Sequence, residues 1–164
     1  MRIQSERINF TPFTEIDIPL VMDMYKEKDQ FKYVSPLANQ SDEFYTQFLK
    51  NKINNNQTEL EFWKLIRKSD NEFIGTVNLN KFSNSNMIQI GCHLKKDFWN
   101  NGFATESIKT ILDYSIQVKK HSSVHGIFES GNIASKKIFE KLGFSYFGLK
   151  KWDKTEIKIY KYSV

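Results

Sequence analysis

Residues 87–119 constrain the fold more tightly than any other stretch. Met87 to Leu94 reads as a strand. The polar turn of "DFWNNGFATESI" follows, and from Ala104 a helix is predicted to about Lys119, with Ile108, Ile111, Leu112 and Ser115 on one face. A strand leading directly into an amphipathic helix must bury that helix's apolar face against a sheet, so the chain belongs among mixed α/β architectures.

The remaining segments fit that frame. Ile3 to Phe10 is predicted as a first strand, and Thr14-Glu-Ile-Asp17 as a helix start with an N-cap and an acid three residues on. Pro19 fits only near that start, and Ile16, Leu20 and Tyr25 are apolar positions of a helix running to about Lys26. Ser41-Asp-Glu opens a second helix carrying Phe44, Phe48 and Leu49. Glu61–Arg67 and Phe73–Leu79 form a hairpin across "KSDNE". "SSVHGIFE" is a strand, "NIASKKIFEKLGF" a helix stopped by Gly143, and "FSYFGL" and "EIKIYKY" two closing strands. The asparagine-rich pieces 51–57 and 84–86 read as loops. The expectation is one domain, residues 1–164, built around one sheet.

Composition narrows the function classes. The 40% hydrophobic and 26% charged content suits a globular protein, and no apolar run approaches the ~20 residues that span a bilayer. The start, "MRIQSERINF", has no apolar stretch of signal-peptide length, and the single cysteine, Cys92, forms no internal disulfide. A cytoplasmic location is the expectation. The net charge of +5 suits solubility or a polyanionic ligand, either nucleic acid or a phosphorylated cofactor. Most of the 14 Phe fall at apolar periodic positions, which favours core packing over base stacking and argues against nucleic acid.

The turn itself has the parts of a phosphate cradle. A helix N-terminus leaves its first N–H groups without internal partners, and their partial positive charge suits an anion. Gly102 lets a ligand approach the backbone, and Asn100 and Asn101 tolerate the backbone angles of an N–H nest. Neither G-x-x-x-x-G-K-[ST] nor G-x-G-x-x-G is present. The RNA-recognition signature shares Gly102, Phe103 and Ala104, then fails at Thr105 and Glu106.

"FWNNGFATESI" resembles the acetyl-coenzyme A signature of the GNAT N-acetyltransferase superfamily, [Arg/Gln]-x-x-Gly-x-[Gly/Ala] at a strand-to-helix turn. Trp99 stands where Arg or Gln is usual. "QIGCHL" (89–94), "VHGIFESGNIASKKIFEKLGF" (124–144) and the opening Thr11–Asp17 are similar to the branch acting on ribosomal-protein N-termini, the RimJ/RimL type. The resemblance implies a centrally splayed, mixed sheet of about six to seven strands with about four helices. It implies acetyl-CoA as cosubstrate, its pantetheine arm paired with backbone of Cys92, His93 and Leu94. The pyrophosphate would rest on N–H groups from Trp99 through Asn100, Asn101, Gly102, Phe103 and Ala104, with Thr105 adjoining, and Asn132 would hydrogen-bond the arm.

The implied reaction moves an acetyl group to a primary amine by direct attack in a ternary complex. It needs an oxyanion donor, placed on the 92–94 strand, and a proton for the departing thiolate. Many family members carry a Tyr at the position of Phe139, which has no proton to give; Ser135 is the nearest replacement, either contacting the thiol or bonding back along its helix. Candidates for the base are Glu129 and His93; Glu106 fits a helix N-terminus structurally. Gln89 occupies a position where the branch often has Glu, so a water-mediated route with no essential base is a further alternative. Cys92 and His93 are strand neighbours on opposite faces, so they form no catalytic dyad, and His121 and His125 lack further zinc ligands. The other class of function is a non-catalytic RNA- or protein-binding module. A protein N-terminus, a polyamine, an aminoglycoside or another small amine each fits as acceptor; no metal site is expected, and the sequence is silent on oligomeric state.

Overall fold

The computed structural model describes residues 2–54 and 61–164. In chain order the elements are β1 (Ile3–Gln4), β2 (Ile8–Pro12), α1 (Ile18–Tyr25), α2 (Asp42–Asn54), β3 (Glu61–Arg67), β4 (Phe73–Lys81), β5 (Ile88–Leu94), α3 (Phe103–Gln117), β6 (Ser123–Glu129), α4 (Ile133–Lys141), β7 (Ser145–Trp152) and β8 (Thr155–Ser163). Among the described residues, one mixed sheet of eight strands, ordered β1-β2-β3-β4-β5-β6-β8-β7, carries four helices. The expected count falls one short, because the predicted strand from Ile3 to Phe10 is two strands. The Ser5 amide donates to the Ile8 carbonyl (2.9 Å) and the Ile8 amide to Ser5 Oγ (3.2 Å), folding β1 back on β2.

The helix start at Thr14 is present but shifted in phase. The Thr14 amide and hydroxyl both donate to Asp17 Oδ2 (3.0 and 2.9 Å), while Lys64 Nζ bonds Asp17 Oδ1 at 2.5 Å. Burial alone would raise the Asp17 pKa; Lys64 and Thr14 outweigh it and hold the carboxyl below its ordinary value. Residues Glu15–Asp17 form a 3-10 turn before α1 begins. Three residues per turn instead of 3.6 rotate the apolar stripe. Ile16 (84% exposed) and Leu20 (46%) therefore face solvent, and Ile18, Val21, Met22, Met24 and Tyr25 face the core. In α2, Leu49 is buried as expected, whereas Phe44 is exposed.

Two apolar clusters sandwich the sheet. Helices α3 and α4 cover one face, where Ile108, Ile111 and Leu112 meet Val77, Ile90, Leu94 and Val124. Helices α1 and α2 cover the other with Phe13, Met24, Tyr45 and Leu49 against Phe62 and Phe73. Among the described residues no helix is long and apolar enough to cross a membrane.

The feature that positions the site is a break in the ladder. Strand β5 pairs with β4 from Gly75↔Leu94 to Lys81↔Ile88, and β6 pairs with β8 from Ser123↔Ser163 to Glu129↔Ile157. Between β5 and β6, which run parallel, the register holds only at Gln89↔His125. The sheet thus opens toward the C-terminal ends of both strands. On the closed side of β5, a Cβ at Gly75 would run into the His93 carbonyl oxygen and the Leu94 Cα. Gly75→Ala is expected to destabilise the fold by about 1–3 kcal/mol or more, since neither contact is a movable side-chain end. A lowered urea midpoint checks this; an unchanged midpoint contradicts it.

Candidate functional site

The unpaired end of β5 sets the local chemistry. The Lys95 amide donates to the Ile74 carbonyl at 2.9 Å. Antiparallel alternation then turns the backbone groups of Gly91 and His93 toward β4 and those of Cys92 and Leu94 toward the gap. The 92–94 strand therefore offers two amides to the opening, those of Cys92 and Leu94; His93's is spent on β4. The Leu94 carbonyl is satisfied from both flanks, by Gln30 Nε2 and by Trp99 Nε1, each at 2.9 Å.

Beyond β5, a 3-10 turn at Lys96–Phe98 leads to the predicted cradle. Asn100 (φ 60°) and Gly102 (φ 80°) take left-handed angles, and Gly102 is the N-cap of α3. The Trp99 amide, expected in the cradle, is spent on the Lys96 carbonyl (3.1 Å) in the 3-10 turn; among the described residues, the amides from Asn100 to Thr105 have no hydrogen-bond partner. A run of unspent donors at a helix N-terminus is what an anionic phosphate requires. Phe98 and Phe103, both 6% exposed and edge to face at 6.0 Å, anchor the two ends of the turn in the core.

A residue without any local sequence signal braces this turn. Arg7, in the β1–β2 turn, donates Nη1 to the Asn101 carbonyl (3.0 Å) and Nε to Glu106 Oε2 (2.7 Å), and its guanidinium lies 4.2 Å over the Phe103 ring. Glu106 also accepts from Ser5 Oγ (2.7 Å) and the Arg7 amide (2.8 Å). Burial works against the charged form of Glu106, but these bonds prevail and hold it below the usual carboxylate range. Glu106 is thus occupied in holding the turn. Nothing local in the sequence links residue 7 to residue 106; the contact is tertiary.

Across the gap, β6 ends at Glu129 and α4 begins after Asn132. Asn132 Oδ1 caps the helix by accepting from the Ser135 amide at 3.1 Å. Ser135 is half-buried, and its hydroxyl makes no hydrogen bond among the described residues, so the back-bonded arrangement is not the one adopted. Phe139 is in the core, stacked on Phe128 at 5.8 Å and packed where Gly126 leaves room. Glu129 Oε1 accepts from the Ser35 amide at 2.7 Å, so the α1–α2 segment touches both lips of the opening, through Gln30 on one and Ser35 on the other. An open recess lined by Gln30, Phe31, Ser35 and Tyr45, among others, lies in that segment.

Cys92 and His93 do point to opposite faces. Cys92 packs under α3, where burial pushes its thiol up to about 12 against a small opposing pull from the Ser107 hydroxyl. His93 faces the α1–α2 side, 5.8 Å from the Phe31 ring. Close packing, and then the Lys52 charge, pull it down to about 4, so the imidazole is neutral at pH 7 and a weak proton acceptor. The site residues read from the sequence thus fall into a β5–turn–α3 lip (92–105) and a β6–α4 lip (129–135).

A model of the acetyltransferase (GNAT) domain matches residues 7–145. The uncharacterized protein YkkB of Bacillus subtilis is 28% identical over 98 residues, 58% of this chain and 57% of that protein. The chain spans about half the length of the first curated relatives it matches. Among solved structures, a GNAT-family acetyltransferase from Bacillus anthracis superposes with a TM-score of 0.84 at 20% identity, covering 99% of this chain and 98% of that one. RimL, a ribosomal L7/L12 alpha-N-protein acetyltransferase in complex with coenzyme A, superposes with a TM-score of 0.82 at 15% identity, covering 100% and 98%. At those identities the likeness is one of fold.

Gly102→Val tests the cradle. A branched side chain at φ 80° both strains the turn and fills the approach to its amides. The expected result is an apparent KM for acetyl-CoA raised by about tenfold or more, equivalent to ~1.4 kcal/mol of lost binding. An unchanged KM removes the turn from cofactor binding.

Proposed function

The chain belongs to the GNAT acetyltransferase family, and on that premise we propose that it carries an acetyl group from acetyl-CoA to a primary amine, by direct attack with both substrates bound. The observation that carries the reading is the pairing of an opened sheet with an unspent N–H turn directly beside it. We place the chain nearest the RimJ/RimL branch, supported by the RimL fold likeness and by the motifs at 97–108 and 124–144.

The thioester of acetyl-CoA supplies the activated acyl group. The chain's part is binding, alignment and proton movement. Amides from Asn100 to Ala104, with Thr105 beside them, hold the pyrophosphate. The Cys92 and Leu94 amides stand where the arm and the acyl oxygen must lie, and a fixed donor there costs no reorganisation. Asn132 Nδ2, not used in capping, bonds the arm. The Ser135 hydroxyl passes a proton to the departing sulfur and regains one from water. Glu129, at the acceptor-side lip, takes the amine proton directly or through water; His93, neutral, lines the acceptor side. Alignment supplies much of the acceleration, up to roughly 7–11 kcal/mol in well-oriented reactions. A cytoplasmic site of action is part of the same proposal.

Thiol release from acetyl-CoA with a panel of peptides and small amines tests the activity; release stimulated by no amine contradicts it. For Ser135→Ala the expected result is turnover slowed by about 10- to 100-fold, the lower range of proton-transfer contributions, at unchanged KM for acetyl-CoA. An unaltered rate assigns Ser135 to structure alone.

A further inference from the structure

The acceptor-side face of the sheet holds a cation, Lys52, with no counter-ion among the described residues. Register places Phe62, Asn78 and Gly91 in one row across β3, β4 and β5, and Lys64, Thr76 and His93 in the next. Above the first row sits Lys52 of α2, its ammonium 4.9 Å from the centres of both the Phe48 and Phe62 rings. Lys64 on the same face is neutralised by Asp17 at 2.5 Å. Lys52 has no carboxylate partner among the described residues. The floor beside it is uncharged: the amides of Asn78 and Asn80 bond each other, the Asn78 side chain packs against Gly91, and His93 is neutral at pH 7.

A half-buried ammonium facing two rings and neutral amides is electrostatically incomplete. Ring faces attract a cation, but a partly buried charge without an opposite charge still carries part of the desolvation penalty. Burial accordingly lowers the Lys52 pKa to about 8, which leaves it mostly charged at pH 7. A ligand bringing a negative charge completes the site; a polyamine sets cation against cation.

Geometry limits where that charge lies on the ligand. Lys52 sits over β3, and the acyl group lies at the far edge of β5, two strand spacings or roughly 10 Å away. The carboxylate of a free α-amino acid is too close to its own amine to bridge that span. One extended residue covers about 3.5 Å, so an acidic side chain on the second residue of a peptide reaches roughly 8 Å from the N-terminal nitrogen. We infer that Lys52 is a specificity residue that binds an anion on the acceptor, and that the acceptor is a peptide-type N-terminus with an acidic side chain at its second position. This rests on the acetyl-transfer reading of the site above.

The test is calorimetric titration of CoA-saturated protein with the carboxy-terminal amides of Ala-Glu and Ala-Gln, and with spermidine. Ala-Glu amide is expected to bind about tenfold more tightly than Ala-Gln amide, the equivalent of ~1.4 kcal/mol, and spermidine no better than Ala-Gln amide. Lys52→Met should reduce that preference to within about twofold, and Lys52→Arg should keep most of it, because the charge is retained. Equal affinities in the wild type, a preference that persists in Lys52→Met, or tighter spermidine binding overturns the inference while CoA binding leaves the acetyl-transfer reading standing. Failure of CoA to bind the wild type strikes that reading itself.

Discussion

Strand β5 keeps a full ladder with β4 yet meets β6 at one position, so its last backbone donors stand in mid-sheet without a partner strand. Leaving a buried amide unbonded costs about 1–3 kcal/mol, so an opening of this kind persists only where something else holds it. Here the holding is divided. The closed edge is locked by Gly75, whose missing Cβ allows the close approach of His93 and Leu94. The Leu94 carbonyl is capped by Gln30 and Trp99. What remains unsatisfied is donors, and donors are what an acyl oxygen, an amide-bearing arm and a pyrophosphate accept.

The same logic extends into the turn. Left-handed angles at Asn100 and Gly102 cost conformational energy and are held by neighbours from outside the turn. Phe98 and Phe103 fix its ends, and Arg7 fixes its middle through Asn101 and Glu106. The Arg7–Glu106 pair is partly exposed, so its direct contribution to stability is modest. Its larger effect is positional: it ties the β1–β2 hairpin to the first turn of α3. Because the folded-state pKa of Glu106 is depressed, the pair's contribution is present above the ordinary carboxylate pKa and is lost as pH falls through that range.

Most of the frame was legible in the sequence because it is local. The hairpin across "KSDNE", the apolar face of α3 and the stop at Gly143 follow from periodicity and turn chemistry, and each lies where expected. The phase of α1 was not, since Thr14 gives the same capping signal for a 3-10 turn as for an α-helix; Ile16 and Leu20 face out as a result. Of the site, the turn at 99–104 could be read from motif and resemblance, whereas the capping of α4 by Asn132 came only with the structure. Arg7, Gln30 and Lys52 could not, because each acts on a residue far along the chain and no pattern around it differs from an ordinary surface or core position. The expected loop at 51–57 lies partly outside the described residues; Asn51 to Asn54 are the last turn of α2.

The central claim is that the amides of the 100–105 turn and of Cys92 and Leu94 are left unspent to receive one ligand. Backbone amide resonances followed by NMR during a coenzyme A titration address it residue by residue. The account predicts large, saturable shifts at Gly102, Phe103, Ala104, Cys92 and Leu94, with little change along β2 and β3. Binding that leaves those resonances in place and moves others instead would contradict it.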